Sequence, residues 1–133
     1  MKVVAVDYGS ARTGVAVSDP TGTVARPVGV VERVRTDAGL ERLVGLIRAE
    51  DPERVVVGLP LTLRGERGEQ AVETERFVDV LREALDVPVE GFDERFTTDL
   101  AEQDPGRRTV AADARAAAHL LTSYLAWSSR TTE

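Results

Sequence analysis

Val3-Val4-Ala5-Val6-Asp7-Tyr8-Gly9-Ser10-Ala11-Arg12-Thr13-Gly14-Val15-Ala16-Val17-Ser18 is the stretch that decides the fold. Val3 to Val6 is a continuous apolar run, the pattern of a strand buried on both faces. It ends in Asp7, and Tyr8 to Arg12 reads as a turn. Gly14 to Ser18 returns as a second strand, closed by Asp19-Pro20 and Thr21-Gly22. Thr23 to Val31 reads as a third strand, with Pro27 at an edge or a bulge because proline has no N–H for a ladder. Three strands joined by short loops predict an antiparallel meander.

Beyond residue 36 the period changes. Thr36-Asp37 can cap a helix, and Leu40, Leu43, Val44 and Ile47 recur at helical spacing up to Glu50, with Pro52 beyond as a stop. Val55 to Gly58 reads as a fourth, buried strand. Leu59 to Gly68 is a glycine-containing loop with Pro60, Arg64 and Arg67. A helix over Glu69 to Ala84 follows, with Ala71, Phe77, Val80 and Leu81 facing inward. Val87 to Phe92 forms a short fifth strand leading into Asp93-Glu94-Arg95. After a polar break at 103–109, a last helix covers Val110 to Trp127, and Ser128 to Glu133 reads as a frayed tail. Helix–strand alternation after the meander predicts parallel strands with crossover helices. The expected architecture is therefore α/β in a single domain over 1–133, a five-stranded mixed sheet flanked by helices.

The bulk composition narrows the chemistry. With 133 residues and 42% apolar content the chain supports one core. No run approaches the roughly 18–20 apolar residues of a membrane span, and the N-terminal stretch turns acidic too soon for a signal peptide. There are no cysteines and one histidine, which excludes thiolate chemistry and a histidine-rich zinc site. A cytoplasmic protein is expected, and any metal must be held by oxygen ligands, which favours Mg²⁺ or Mn²⁺. The net charge of −6 argues against a nucleic-acid partner unless the basic residues are locally concentrated.

Three carboxylates from distant segments are candidates for one site. Asp7 ends an otherwise apolar strand, and ligands of α/β sheets gather at the carboxyl ends of strands. Glu94 follows the fifth strand. Asp113 shares a helix side with Ala117, Leu120, Leu121 and Tyr124, which turns it toward the sheet. Each residue also has an ordinary reading: Asp7 as a turn former, Asp113 as a partner of the helix dipole, Glu94 as an ion pair with Arg95. Asp93 can replace Glu94, since spacing does not separate them. Gly9 and Ser10 can lie near a phosphate or simply form a hairpin turn. His119 falls about 240° around the helix from Asp113 and reads as structural or exposed; Trp127 covers the edge of the core.

At these residues the sequence resembles the YqgF/RuvX family, described as pre-16S rRNA nucleases or Holliday-junction resolvases. The resemblance spans nearly the whole chain. It rests on Asp7-Tyr8-Gly9-Ser10-x-Arg12-x-Gly14-x-Ala16-x-Ser18-Asp19, on Val57-Gly58-Leu59-Pro60-Leu61 with Gly65-x-x-Gly68, on Asp93-Glu94-Arg95-Phe96-Thr97-Thr98-x-x-Ala101-Glu102, and on Asp113-x-x-Ala116-Ala117 with Ser123-Tyr124-Leu125. The resemblance implies an RNase H-like fold. It also implies metal ligation and catalysis by Asp7, Glu94 and Asp113, two Mg²⁺ or Mn²⁺ ions with Asp7 bridging them, and substrate contacts from Arg12, Arg95 and Thr97. The chain departs from the family pattern in one place: only 11 residues separate Ala101 from Asp113, and of these only Arg107 and Arg108 are basic.

The expected function is a metal-dependent nuclease acting on structured RNA, in maturation of the 5′ end of pre-16S rRNA. Four-way DNA junction cleavage is the alternative within the same chemistry. The chain is expected as a monomer or a homodimer, and junction cleavage, which needs two active sites, calls for the dimer. A non-catalytic assembly factor that binds nucleic acid is a different class. An actin-like phosphotransferase is disfavoured, because that architecture needs two such domains around ATP.

Overall fold

The computed structural model describes residues 1–60, 68–93 and 110–131. The elements run β1 (Val3–Asp7), β2 (Arg12–Ser18), β3 (Ala25–Glu32), α1 (Asp37–Glu50), β4 (Arg54–Leu59), α2 (Glu69–Ala84), β5 (Val89–Asp93) and α3 (Val110–Thr131). The sheet order is β3-β2-β1-β4-β5. β1–β2 and β2–β3 are antiparallel, while β1–β4 and β4–β5 are parallel. The expected meander followed by βα units is therefore the architecture observed.

Strand alternation sorts the apolar residues into two cores. Val4, Val6, Val15, Val17, Val55 and Val57 point to one face and pack with Leu43, Val44 and Ile47 of α1 and Phe77, Val78 and Leu81 of α2. Val3, Ala5, Ala16, Val56 and Phe92 point to the other, under Ala117, Leu120, Leu121 and Tyr124 of α3. The central strands are apolar throughout because both faces are covered. The small Ala5 and Ala16 let α3 lie close to the sheet.

Several boundaries differ from the sequence reading, each for a local reason. β3 begins at Ala25, not Thr23, because the N–H groups of Thr23 and Val24 donate to the Asp19 carboxylate (2.7 and 2.9 Å) and so are taken from the ladder. Pro27 sits on the edge strand beside a register shift that pairs Ala16 with Pro27 but Val15 with Gly29, so it occupies both an edge and a bulge. Val80 is 42% exposed, not inward. The buried stripe of α2 is Ala71, Thr74, Phe77, Val78 and Leu81, and Val80 lies about 200° around the helix from Val78. α3 continues to Thr131 through the segment expected to fray, since no Gly or Pro after Gly106 interrupts it. Among the described residues no helix is long and apolar enough to cross a membrane.

The β2–β3 hairpin is organised by Asp19. Its carboxylate accepts the Thr21 hydroxyl as well as the N–H groups of Thr23, Val24 and Thr21, and these bonds hold its pKa well below the usual carboxylate range, the Thr21 hydroxyl contributing most. A depressed folded pKa stabilises the native hairpin fully above the unfolded value, and that contribution is lost as pH falls through the folded one. An NMR titration of the Asp19 carboxyl carbon is expected to show it ionised well below about pH 4, the ordinary Asp value. Titration at the ordinary value contradicts this account of the hairpin.

Candidate active site

The carboxyl ends of β1, β3, β4 and β5 lie along one edge of the sheet, with the start of β2 among them. Asp7 closes β1 there and pairs in register with Gly14 of β2. By alternation Asp7 shares a face with Ala5 and Val3, the α3 face. A Cβ on Gly14 would stand 2.1 Å from the main-chain oxygen of Asp113. The first turn of α3 therefore rests on the backbone of β2 at the residue paired with Asp7. Two of the three expected carboxylates, Asp7 and Asp113, come to the same face and the same end of the sheet.

Asp113 is 7% exposed. Its Oδ2 lies 3.0 Å from Nε of Arg12, the first residue of β2. Arg12, expected to contact substrate, is thus engaged with Asp113 in this structure. Because the carboxylate is deeply buried and the guanidinium partly so, loss of Arg12 would leave a buried anion short of its counter-charge, at a cost of about 1–3 kcal/mol.

Glu94, Arg95 and Thr97 lie outside the described residues. Asp93 is described. It pairs with Leu59 at the end of β5 and alternates with Gly91 and Val89 onto the α1/α2 face, opposite to Asp7. Phe92 faces α3. Of the two adjacent acids, Asp93 has its Cβ on the wrong side of the sheet to join Asp7 and Asp113. Among the described residues no three carboxylates or histidines form a metal-binding group. His119 is partly buried on α3, and Trp127 packs its ring 5.6 Å from Phe92 and 6.0 Å from Tyr124 while remaining 43% exposed.

A second network escaped the sequence reading. Tyr8, next to Asp7, turns to the opposite face. Its ring stacks on Phe77 of α2 at 4.4 Å, and its hydroxyl donates to Glu73 Oε1 at 3.0 Å. Arg35 donates to the same oxygen at 2.7 Å. Consecutive residues thus grip opposite layers: Tyr8 ties the end of β1 to α2, and Asp7 projects toward α3. Tyr8 continues the Val4, Val6 alternation; that parity was the available signal. The partner on α2 was not readable from it.

Both tyrosines are held protonated. Burial, reinforced by the Glu73 contact, pushes Tyr8 up to about 12. Burial and the Glu90 carboxylate, which accepts from the Tyr124 hydroxyl at 2.5 Å, raise Tyr124. A raised folded pKa gives a contribution that is complete below the unfolded value, about 10, and lost as pH rises through the folded one. Ultraviolet titration is expected to show little tyrosinate in the native protein at a pH where the urea-unfolded chain is half ionised. Coincident curves contradict the network. Independently, Gly14→Ala is expected to destabilise by about 3 kcal/mol in urea denaturation, since the clash is with backbone, whereas Gly29→Ala, with nothing within 4 Å of the added carbon, is expected to change stability little.

Comparison with known proteins gives the same architecture and a family. A family model described as "RuvX: Holliday junction resolvase" matches residues 1–127. The "Putative pre-16S rRNA nuclease" of Chloroflexus aurantiacus is 41% identical over 130 residues, covering 92% of this chain and 85% of that protein. The protein of the same name from Roseiflexus sp. is 40% identical, covering 93% of each. Among solved structures, Thermus thermophilus RuvC in complex with a Holliday junction substrate superposes with a TM-score of 0.59 at 19% identity, covering 97% of this chain and 96% of that one. The fowlpox virus Holliday junction resolvase gives 0.55 at 14%, covering 96% and 99%. These neighbours establish the RNase H-like fold, and the match of sequence from the β1 strand through most of α3 shows that the chain belongs to the RuvX family of nucleases.

Proposed function

We propose that this protein is a metal-dependent phosphodiesterase that cleaves structured RNA, processing the 5′ end of pre-16S rRNA in the cytoplasm. The observation that carries the reading is the seating of Asp113 over Gly14, the register partner of Asp7, on one face of the sheet. Two acids from segments more than a hundred residues apart in sequence have little structural reason to share that position. The names of the relatives supply the substrate class.

The donor set suits a hard divalent cation. Asp7 and Asp113 are carboxylates in a chain without cysteine, and Glu94, the residue after Asp93 in the sequence, is the third ligand in this reading. Mg²⁺ or Mn²⁺, as one or two ions bound there, would supply Lewis-acid stabilisation and a nucleophile near neutral pH. The protein's own groups do the rest. Without a cation, carboxylates on one face repel a phosphodiester, so substrate approach is coupled to metal loading. Arg12 orients the Asp113 carboxylate through the 3.0 Å contact, and Tyr8 fixes the main chain at Asp7 through α2. Arg95 and Thr97, in the block after β5, contact the substrate. The same chemistry applied to a four-way DNA junction is the second reading, favoured by the name of the matching family model. It requires a homodimer, because two strands are cut.

The test is cleavage of labelled precursor rRNA and of a DNA four-way junction by the protein and its Asp7→Asn variant, in Mg²⁺, Mn²⁺ or EDTA. Cleavage is expected with either metal, absent in EDTA, and reduced about 100-fold or more in the variant, several kcal/mol of barrier. Preference between substrates separates the two readings. If the folded wild type cuts neither and behaves as the variant does, the protein is a non-catalytic binding factor.

A further inference from the structure

Among the described residues only two non-glycines have positive φ, Asp51 at 50° and Arg33 at 53°. Asp51 is the left-handed cap that ends α1, its N–H bonded to the Arg48 carbonyl. Arg33 has no such role. It sits between β3 and α1, where glycine would adopt the same backbone without strain, and an L-residue there costs about 1–2 kcal/mol.

The surroundings enforce that conformation. The Arg33 N–H donates to the Ala11 carbonyl at 3.1 Å. The Arg33 carbonyl accepts from the Thr36 N–H at 3.0 Å and the Thr36 hydroxyl at 2.7 Å. A Cβ on Gly39 would lie 1.9 Å from the same oxygen, so α1 presses directly against it. The turn buries Val34 to 1% exposure and sets the first turn of α1. Those needs explain the turn, and glycine or asparagine would meet them. They do not explain a strained arginine.

The location does. Arg33 follows Glu32, the register partner of Arg12, and bonds to the β1–β2 turn that follows Asp7. It therefore stands on the sheet edge that carries Asp7 and Asp113. Its neighbours there are internally engaged: Arg12 with Asp113 at 3.0 Å and Arg35 with Glu73 at 2.7 Å. Arg33 is exposed, and among the described residues no ion pair engages its guanidinium. In a chain of net charge −6, an available guanidinium on a rigid turn at the same end of the sheet as Asp7 and Asp113 is a local attraction for a polyanion. Backbone strain without a capping role is found most often at binding and catalytic positions.

We propose that Arg33 binds a backbone phosphate of the nucleic-acid substrate, fixing the strand beside the Asp7–Asp113 edge. This rests on the nuclease reading above. The recognised chemistry is a phosphodiester, common to RNA and DNA.

The test is equilibrium binding of a labelled RNA hairpin and of a DNA four-way junction, in Ca²⁺, across a series of salt concentrations, for wild type, Arg33→Asn, Arg33→Gly and Arg33→Lys. Asparagine and glycine tolerate the left-handed turn, so thermal melting of these variants is expected at or above the wild-type temperature. Loss of one phosphate contact is expected to weaken binding about fivefold at 0.15 M salt and to reduce the slope of log K against log salt by about 0.7–0.9. Arg33→Lys is expected to keep most of that slope. An effect on one probe alone assigns the contact to that nucleic acid; an effect on both assigns it to the shared backbone. If wild type binds and the folded Asn and Gly variants bind equally well with an unchanged slope, the proposal is overturned and the nuclease reading stands. If wild type binds neither probe, both fall.

Discussion

Helix α3 approaches β2 so closely that the residue beneath Asp113 has no room for a side chain. The rest of the site depends on that contact. It brings the first turn of a helix onto the strand paired with β1 and puts Asp113 on the same side as Asp7. It also fixes the depth at which Leu120, Leu121 and Tyr124 enter the core over Ala5, Ala16 and Val56. A glycine in a strand interior is normally a weakness, with no side chain to pack and extra chain entropy to lose. Here the backbone of another element occupies the space.

The end of β1 is held from both sides. Asp7 and Tyr8 are consecutive, so pleating turns one toward α3 and the other toward α2. Tyr8 is anchored by stacking on Phe77 and by Glu73, which Arg35 shares. With its neighbour gripped in this way, the main chain at Asp7 is held in place from the α2 side. The tyrosine network lies on the layer opposite to Asp113 and leaves the α3 face of Asp7 unoccupied by it.

The chain is acidic overall and belongs to a nuclease family. The net charge is −6, yet the sheet edge bearing Asp7 and Asp113 also carries Arg12, Arg33 and Arg35, two of them paired to acids at 3.0 and 2.7 Å. A polyanion responds to the field at the surface it meets, and that field is set within roughly one Debye length, about 8–10 Å. A net charge is a sum and does not locate the charges that a ligand meets.

The element order, the meander, the two parallel crossovers and the helix stripe of Asp113 were legible in the sequence because they depend on local periods: two residues for strands, 3.6 for helices. Ala117, Leu120, Leu121 and Tyr124 read correctly as one side of α3, and Pro27 as an edge and bulge residue. Val80 was misread because an apolar side chain on an amphipathic helix is assigned by its angle, and the angle of the stripe becomes known only when the sheet is there to receive it. The choice between Asp93 and Glu94 was open in the sequence, since adjacent residues differ only in the face they present. The register of β5 against β4 turned Asp93 away from Asp7. Likewise Arg12 could be read as a basic residue but not as the partner of Asp113, and Arg33 gave no sign of its left-handed backbone. Such contacts join segments far apart in the chain. They arise from sheet register and helix seating, which no local period encodes.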